Sequence, residues 1–168
     1  MCIRDRRYRP EFQSGVLALI LPIQTEEFAI NITAAQQPDL CDIENFYQQG
    51  CGDFWLALVD NQVVGCIALK DIGNQQAALR KMFVAAEWRG KAFGVASALL
   101  NTLLTSARDR KVTDIFLGTT ATFVAAHRFY EKNGFSEIPV TDLPGSFPVM
   151  TVDTKFYRFT FSFSCEIS

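Results

Sequence analysis

The chain has 168 residues, of which 49% are hydrophobic, enough to bury one sizeable core, so we expect a single domain over residues 1–168. Because 16 Lys and Arg residues face 18 Asp and Glu residues, the formal net charge of −2 provides no broad basic surface for nucleic acid or a membrane. The longest apolar stretch, residues 16–23, is too short to span a bilayer, and no segment resembles a signal peptide. The five cysteines include no Cys-x-x-Cys pair. We therefore expect a cytoplasmic protein with reduced thiols.

The residue pattern of the N-terminal part predicts two helices. Residues 1–7 are basic and lack an amphipathic pattern, so they could be a first strand or a frayed or non-native leader. The pattern predicts a first helix over 11–21, ended by Pro22, which lacks an amide donor. A second helix is predicted over 39–49, with Asp39 as its N-terminal cap and Gly50 just after its end.

A β-meander and a long helix come next. Residues 54–59 and 63–69 are β-rich and flank a short polar connection, which predicts an antiparallel hairpin. Residues 77–84 add a third strand. From 93 to 107 apolar residues recur at helical spacing, which predicts an amphipathic helix.

The C-terminal part predicts a β-α-β crossover and a closing strand. Residues 112–117 form a β-rich run, expected to lie parallel to the third strand because a whole helix separates the two. Residues 123–132 predict a helix that Asn133-Gly134 ends. The proline-rich segment 139–148 predicts a loop that could cover a pocket, and residues 155–163 predict a last strand.

The turn before the long helix is a candidate phosphate site. Its sequence, Arg89-Gly90-Lys91-Ala92-Phe93-Gly94, places glycines where backbone N–H groups converge at a helix N-terminus. Arg89 and Lys91 can add positive charge beside a pyrophosphate. The pattern matches neither a Walker loop nor G-x-G-x-x-G, and a turn whose glycines serve packing alone fits it as well.

Two segments resemble the GNAT N-acetyltransferase superfamily. Leu79-Arg80-Lys81-Met82-Phe83-Val84, followed by the turn from Arg89, is similar to its acetyl-CoA-binding core, with the signature Q/R-x-x-G-x-G/A. Ala126-His127-Arg128-Phe129-Tyr130, running on to Gly134-Phe135, resembles its A-x-x-x-Y helix and Gly-Phe turn. Two positions depart from the family: Ala92 replaces a glycine, and Phe123 stands where an asparagine often contacts CoA. A required positive φ at Ala92 would cost about 1 kcal/mol or more.

The resemblance implies an α/β (α+β) fold with a mixed central sheet of about six to seven strands, helices on both faces and a splayed pair of parallel strands at the acetyl-CoA site. It implies acetyl-CoA as co-substrate, no metal, and direct acetyl transfer to a primary amine of a small molecule or an exposed protein amino group. The expected acetyl-CoA contacts lie on the third strand and the turn: Met82, Phe83, Val84, Arg89, Gly90, Lys91, Ala92, Phe93, Gly94 and Val95.

Tyr130 matches the family position whose phenol commonly protonates the departing CoA sulfur, so the resemblance makes it the expected general acid. On a helical wheel Tyr130 and Phe129 share the inward face of their helix, whereas Arg128 and Lys132 point away. A core aromatic with a satisfied hydroxyl is the alternative.

No general base is predicted. His127 lies at the edge of the inward face and could deprotonate the amine, although a partly exposed bystander is the simpler expectation. Asp53, Asp71 and Glu87 lie near strand ends, where carboxylates are usually solvated caps. One histidine and scattered cysteines supply no metal-ligand spacing.

Acceptor specificity is expected from the N-terminal helices and the proline-rich loop, where Phe46, Tyr47, Phe147 and Met150 could line a partly apolar pocket or belong to the core. Two other functions stay open. One is a noncatalytic acyl-CoA-binding regulatory domain. The other is a pairing module in which strand 156–163 adds to another chain's sheet. A homodimer would not exclude catalysis.

Overall fold

The computed structural model describes residues 3–90, 94–121, 124–150 and 153–162. The strands in chain order are β1 (Arg4–Arg7), β2 (Asp53–Val59), β3 (Gln62–Gly73), β4 (Gln76–Val84), β5 (Asp114–Thr119), β6 (Ser136–Ile138) and β7 (Lys155–Thr160). The helices are α1 (Gln13–Pro22), α2 (Pro38–Cys41), α3 (Ile43–Phe46), α4 (Val95–Asp109) and α5 (Val124–Lys132). Turns of 3-10 helix cover Pro10–Phe12, Ala86–Trp88 and Val140–Asp142, and a π-helical turn covers Ile23–Glu27.

The strands form one mixed sheet in the order β1-β2-β3-β4-β5-β7-β6. Every neighbouring pair is antiparallel except β4 and β5. These two are parallel and stay in register only over Gln76–Ala78 and Asp114–Phe116. Since β4 continues to Val84, its second half has no paired strand on the β5 side among the described residues. The predicted fold, including the splayed parallel pair, is confirmed.

Helices cover both faces of the sheet because each presents one apolar side. α4 buries the face predicted from its periodicity, and the residues that pack on the sheet are Val95, Leu99, Leu100, Leu103 and Ala107. Each of these leucines contributes about 2 kcal/mol by leaving water. The opposite face is covered by α1, α2 and α3 through a second cluster, whose helical members include Val16, Ile20, Leu40 and Ile43. Among the described helices, none combines the length and apolar character needed to cross a membrane.

The predicted N-terminal helices are wrong in two respects. The first helix does not end at Pro22 but runs through it into the π-helical turn, because a proline lacks only its own donor and later turns remain bonded. The second helix breaks at Asp42, which has a φ of −149°. Asp39 is not its cap but a buried residue inside α2. Gly50 has the expected positive φ, of +59°.

Both ends of the sheet contain strands that the sequence did not reveal clearly. Arg4–Arg7 form an edge strand beside β2, so within residues 1–7 the strand alternative holds for these four residues. β6 pairs with β7 over Phe156–Arg158, and β5 pairs with the other side of β7. Because both sides of β7 are occupied there, the hypothesis that this segment adds to another chain's sheet is wrong for those residues.

Candidate active site

A β-bulge in β4 lies just beyond its last pairing with β5. The register between β3 and β4 shifts between Cys66 and Ala68, so that Lys81 and Met82 lie opposite a single residue of β3. Lys81 has a φ of +55°, a left-handed conformation that costs a non-glycine residue about 1 kcal/mol. The bulge bends β4 where the gap between the parallel strands opens.

The bulge also changes the direction of the side chains. Leu79 packs with the α4 face, and in a regular strand Lys81 would share that face. Instead, its ammonium lies 2.7 Å from Gln37 Oε1 and 3.5 Å from Asp39 Oδ2, on the face of α1 and α2. Arg80 points to the same face. Two consecutive cations therefore face the same side of the sheet at the gap.

Tyr130 lies on the α4 face of the gap. Its side chain is buried between the rings of Phe129, Phe135 and Tyr157. In the described part of the chain, its hydroxyl has a single recorded acceptor, Met82 Sδ at 3.7 Å. Burial raises the pKa of Tyr130 above its usual value of 10, so the phenol keeps its proton at neutral pH. A thioether accepts weakly, which leaves this proton available to a stronger acceptor.

The candidate phosphate turn lies partly outside the described residues, which exclude Lys91, Ala92 and Phe93. Gly90 and Gly94 have φ values of +104° and +63°, and a Cβ at either position would meet no described residue within 4 Å. The backbone conformation, and not packing space, therefore favours glycine at both positions. Gly94 precedes α4, whose first N–H groups lack partners within the helix and receive no cap from this residue.

The Arg89 side chain pairs with residues outside this turn. Its Nη1 and Nη2 lie 2.6 Å and 3.0 Å from the carboxylate of Glu27, and its Nε donates to Val84 O at 2.8 Å. The side chain joins the end of β4 to the π-helical turn after α1. The charge expected beside a pyrophosphate is paired with Glu27 in this structure.

His127 is buried, so the expectation of a partly exposed bystander is wrong. Its Nε2 lies 2.7 Å from Thr120 O. A carbonyl oxygen only accepts, so Nε2 carries the proton and donates it. The imidazole thereby ties α5 to the end of β5, a structural role.

Asp53 was expected to be a solvated cap but is completely buried. Its carboxylate lies 2.7 Å from Arg7 Nε and 3.1 Å from Arg110 Nη2, and accepts from the Gln48 amide at 2.8 Å. It joins β1, β2 and the residue after α4, so its contacts are structural.

The other two carboxylates near strand ends are Asp71, which is partly buried, and Glu87, which is exposed. Burial raises the pKa of Asp71, but hydrogen bonds from the Gly73 and Cys51 N–H groups outweigh it and hold that pKa below its usual value. Asp71 is therefore a turn-stabilising acceptor. Glu87 is exposed, as expected.

Three of the four predicted acceptor-pocket residues come together around Arg80. Its guanidinium carbon lies 5.8 Å from the centre of the Phe46 ring and 6.0 Å from that of Tyr47, and its Nη2 is 3.7 Å from Met150 Sδ. Phe147 instead packs in a separate buried cluster with Phe156. The sequence did not identify Arg80 as part of this site.

A groove of about 860 Å³ lies elsewhere, between α1 and the β2–β3 hairpin, with Phe12, Gly15 and Val63 among its lining residues. It contains neither Met82 nor Tyr130. We place the candidate site at the gap, where the strands diverge and a buried donor lies beside them. Over the described residues, no group of three or more His, Cys, Asp or Glu side chains could hold a metal ion.

Comparison with known proteins shows a match to one protein family. The model of the acetyltransferase (GNAT) family matches residues 18–135. The N-acetylaspartate synthetase of Xenopus tropicalis is 37% identical over 116 residues, which are 67% of this chain and 41% of that protein. The chain thus spans less than half of this curated relative.

Two solved structures match over nearly their whole length. An acetyltransferase of the GNAT family from Staphylococcus aureus Mu50 has a TM-score of 0.89 and 37% identity, covering 95% of this chain and 99% of that one. An acetyltransferase from Streptococcus agalactiae 2603 has a TM-score of 0.89 and 32% identity, covering 95% and 98%.

Proposed function

The chain belongs to the acetyltransferase (GNAT) family, and from this premise we propose that it transfers the acetyl group of acetyl-CoA to a primary amine. The observation that carries the proposal is the gap between β4 and β5, with the protonated Tyr130 hydroxyl beside Met82 at its edge. A noncatalytic acyl-CoA-binding domain would not need this donor, and nothing in the described residues favours it.

Acetyl-CoA fits the gap in two parts. The pyrophosphate is proposed to bind the turn from Arg89 to Val95, including Lys91, Ala92 and Phe93, where α4 presents N–H groups and the positive end of its dipole. The pantetheine is proposed to run along Met82, Phe83 and Val84, where β4 has no β5 partner and its peptide groups can bond the pantetheine amides.

The reaction has three steps that the site must serve. A neutral amine attacks the thioester carbonyl carbon, and a backbone N–H of β4 at the bulge stabilises the oxyanion. The C–S bond then breaks, the amide forms, and Tyr130 donates its proton to the departing sulfur. The proton lost by the amine passes to solvent, and the phenolate regains one. No metal, nucleic acid or membrane takes part in this scheme, and it does not depend on whether the chain forms a homodimer.

The acceptor is proposed to be a small-molecule amine or an exposed protein amino group. The relatives named N-acetylaspartate synthetase support the small molecule. Those relatives are more than twice as long as the matched segment, so their acceptor is only one candidate for this chain.

A thermal-shift comparison tests the proposal. We expect acetyl-CoA and CoA to raise the unfolding temperature, with about 2.7 kcal/mol of stabilisation at a hundredfold excess over Kd, and ATP to have a smaller effect. A panel of amines is then screened for release of the CoA thiol. Absence of stabilisation by either CoA species would overturn the proposal.

A further inference from the structure

Arg80 is a half-buried cation that forms no ion pair with a described residue. The ion pairs found within 4 Å in the described part of the chain do not include it. Its guanidinium carbon lies near two aromatic rings, and its Nη2 contacts the Met150 thioether. A guanidinium carries five N–H donors and a thioether is a weak acceptor, so the described residues satisfy little of its hydrogen-bonding capacity.

Arg80 is one of a group of three cations on this side of the sheet. Lys81 follows it on the same face, and Lys70 Nζ lies 4.1 Å from the centre of the Phe46 ring. Two carboxylates oppose them. Asp39 lies 3.5 Å from the Lys81 ammonium. Burial raises the pKa of Asp153, and the positive charge of the nearby Arg80 partly counters this increase.

The two carboxylates are already engaged. Asp39 accepts the Tyr47 hydroxyl at 2.6 Å, and Asp153 accepts the Met150 N–H at 3.1 Å. Burial lowers the pKa of Lys81, and Asp39 counters this effect. Arg80, in contrast, has no carboxylate within 4 Å among the described residues. Arg80 therefore has capacity for an additional anion.

Arg80 lies where an acceptor must approach. It is two residues beyond Ala78, the last residue of β4 that pairs with β5, and so lies at the opening of the gap. α4 and Tyr130 fill the other face, which leaves the Arg80 face for the incoming amine. Half-exposed Met150 borders this side. An anion on Arg80 would thus belong to the molecule whose amine reaches the thioester.

We propose that Arg80 binds a carboxylate of the acceptor, and that the acceptor is a small amine that carries a carboxylate, such as an amino acid. This inference rests on the proposed acetyl transfer. A guanidinium fork matches a carboxylate through two parallel N–H···O bonds, and the rings of Phe46 and Tyr47 lie within cation–π distance of it. The bulge at Lys81 places a second cation on the same side. An acceptor without a negative charge would not need two cations there.

The test compares acceptors with and without a carboxylate. Each amino acid of a panel is assayed against its C-terminal amide at saturating acetyl-CoA, in wild type and in Arg80→Gln. We expect wild type to prefer the carboxylates. We expect Arg80→Gln to lower kcat/KM for them by about tenfold to a hundredfold, mainly through KM, and to leave the amides within about twofold.

Matched variants separate recognition from folding. Arg80→Lys keeps the charge but loses the fork, and should retain part of the preference. Arg128→Gln removes an exposed cation on α5, outside the site, and should behave as wild type. If Arg80→Gln fails to fold, the Arg80→Lys comparison decides.

The outcomes distinguish the inference from the proposed function. Stabilisation by acetyl-CoA together with turnover of amides as fast as carboxylates overturns the role of Arg80 alone. Equal losses for both acceptor types in the Arg80 variants also overturn it, because they indicate a structural role. Absence of turnover with every amine and of stabilisation by CoA overturns the proposed function, and the inference with it.

Discussion

Replacing Tyr130 with phenylalanine should separate chemistry from folding. The substitution removes a hydroxyl whose recorded contact in the described residues is a weak one, to Met82 Sδ at 3.7 Å. The free energy of unfolding should therefore change by no more than about 0.5 kcal/mol. Loss of a general acid, in contrast, should lower kcat by about 10²- to 10⁴-fold, or about 3–5 kcal/mol in the barrier. Acetyl-CoA affinity should stay the same.

Tyr157→Phe is the matched control. Tyr157 is also buried, but its hydroxyl donates to the Glu131 carboxylate at 2.7 Å. Its removal should cost about 1.5 kcal/mol of stability and leave turnover within a few-fold. Urea unfolding and CoA-thiol release at saturating substrates measure the two quantities. Unchanged turnover in Tyr130→Phe, or equal losses of turnover in both variants, would refute the role of Tyr130.

The pH profile gives a second check on Tyr130. Its pKa lies above 10 because burial disfavours the phenolate. The acid form is thus present below that pKa and is lost only as pH rises through it. We expect no decrease in kcat from this group below pH 10. An alkaline decrease near pH 8 that disappears in Tyr130→Phe would contradict this expectation.

Three further predictions concern the turn, the buried acid and the thiols. Gly94→Ala should lower the free energy of unfolding by about 1 kcal/mol and weaken acetyl-CoA binding, because Gly94 has a φ of +63°. Gly145→Ala is the control, since Gly145 has similar space around it and no positive φ, and it should change neither quantity. Thermal shift with and without acetyl-CoA measures both. Asp53→Ala should lower the free energy of unfolding in urea by about 1.5 kcal/mol, because the Gln48 amide and the Phe54 N–H lose a buried acceptor. Its charged partners, Arg7 and Arg110, are partly exposed and can be solvated. Burial raises the pKa of Cys66 to about 12, so at pH 8 iodoacetamide should modify exposed Cys41 well before Cys66, as peptide mass spectrometry would show.

Elements with a local pattern could be predicted from the sequence. The β2–β3 hairpin was predicted from two β-rich runs and a short polar connection, and Asp60 and Asn61 take the positive φ values that such a turn needs. The apolar spacing of α4 predicted its buried face, and predicted its limits to within two residues at each end. These features depend on neighbouring residues, which the sequence displays directly.

Features that depend on distant partners could not be predicted. Asp53 resembled a solvated cap because its partners, Arg7 and Arg110, are 46 and 57 residues away along the chain. The bulge had no local pattern either, since Lys81 is neither glycine nor asparagine, the residues that usually mark a positive φ. It arises where β4 remains paired with β3 but leaves β5, and it is what brings Arg80 and Lys81 to the same face.

Transfer of a labelled acetyl group provides the decisive test of the proposed reaction. The protein is incubated with acetyl-CoA carrying a deuterated acetyl methyl group and with each amine of the panel, and products are followed by mass spectrometry together with free CoA thiol. We expect an N-acetylated product that retains the label, with one CoA released per product and none above background when the amine is omitted. Release of CoA independent of any amine, or CoA binding without a labelled product from any acceptor, would contradict an acetyltransferase at the gap between β4 and β5.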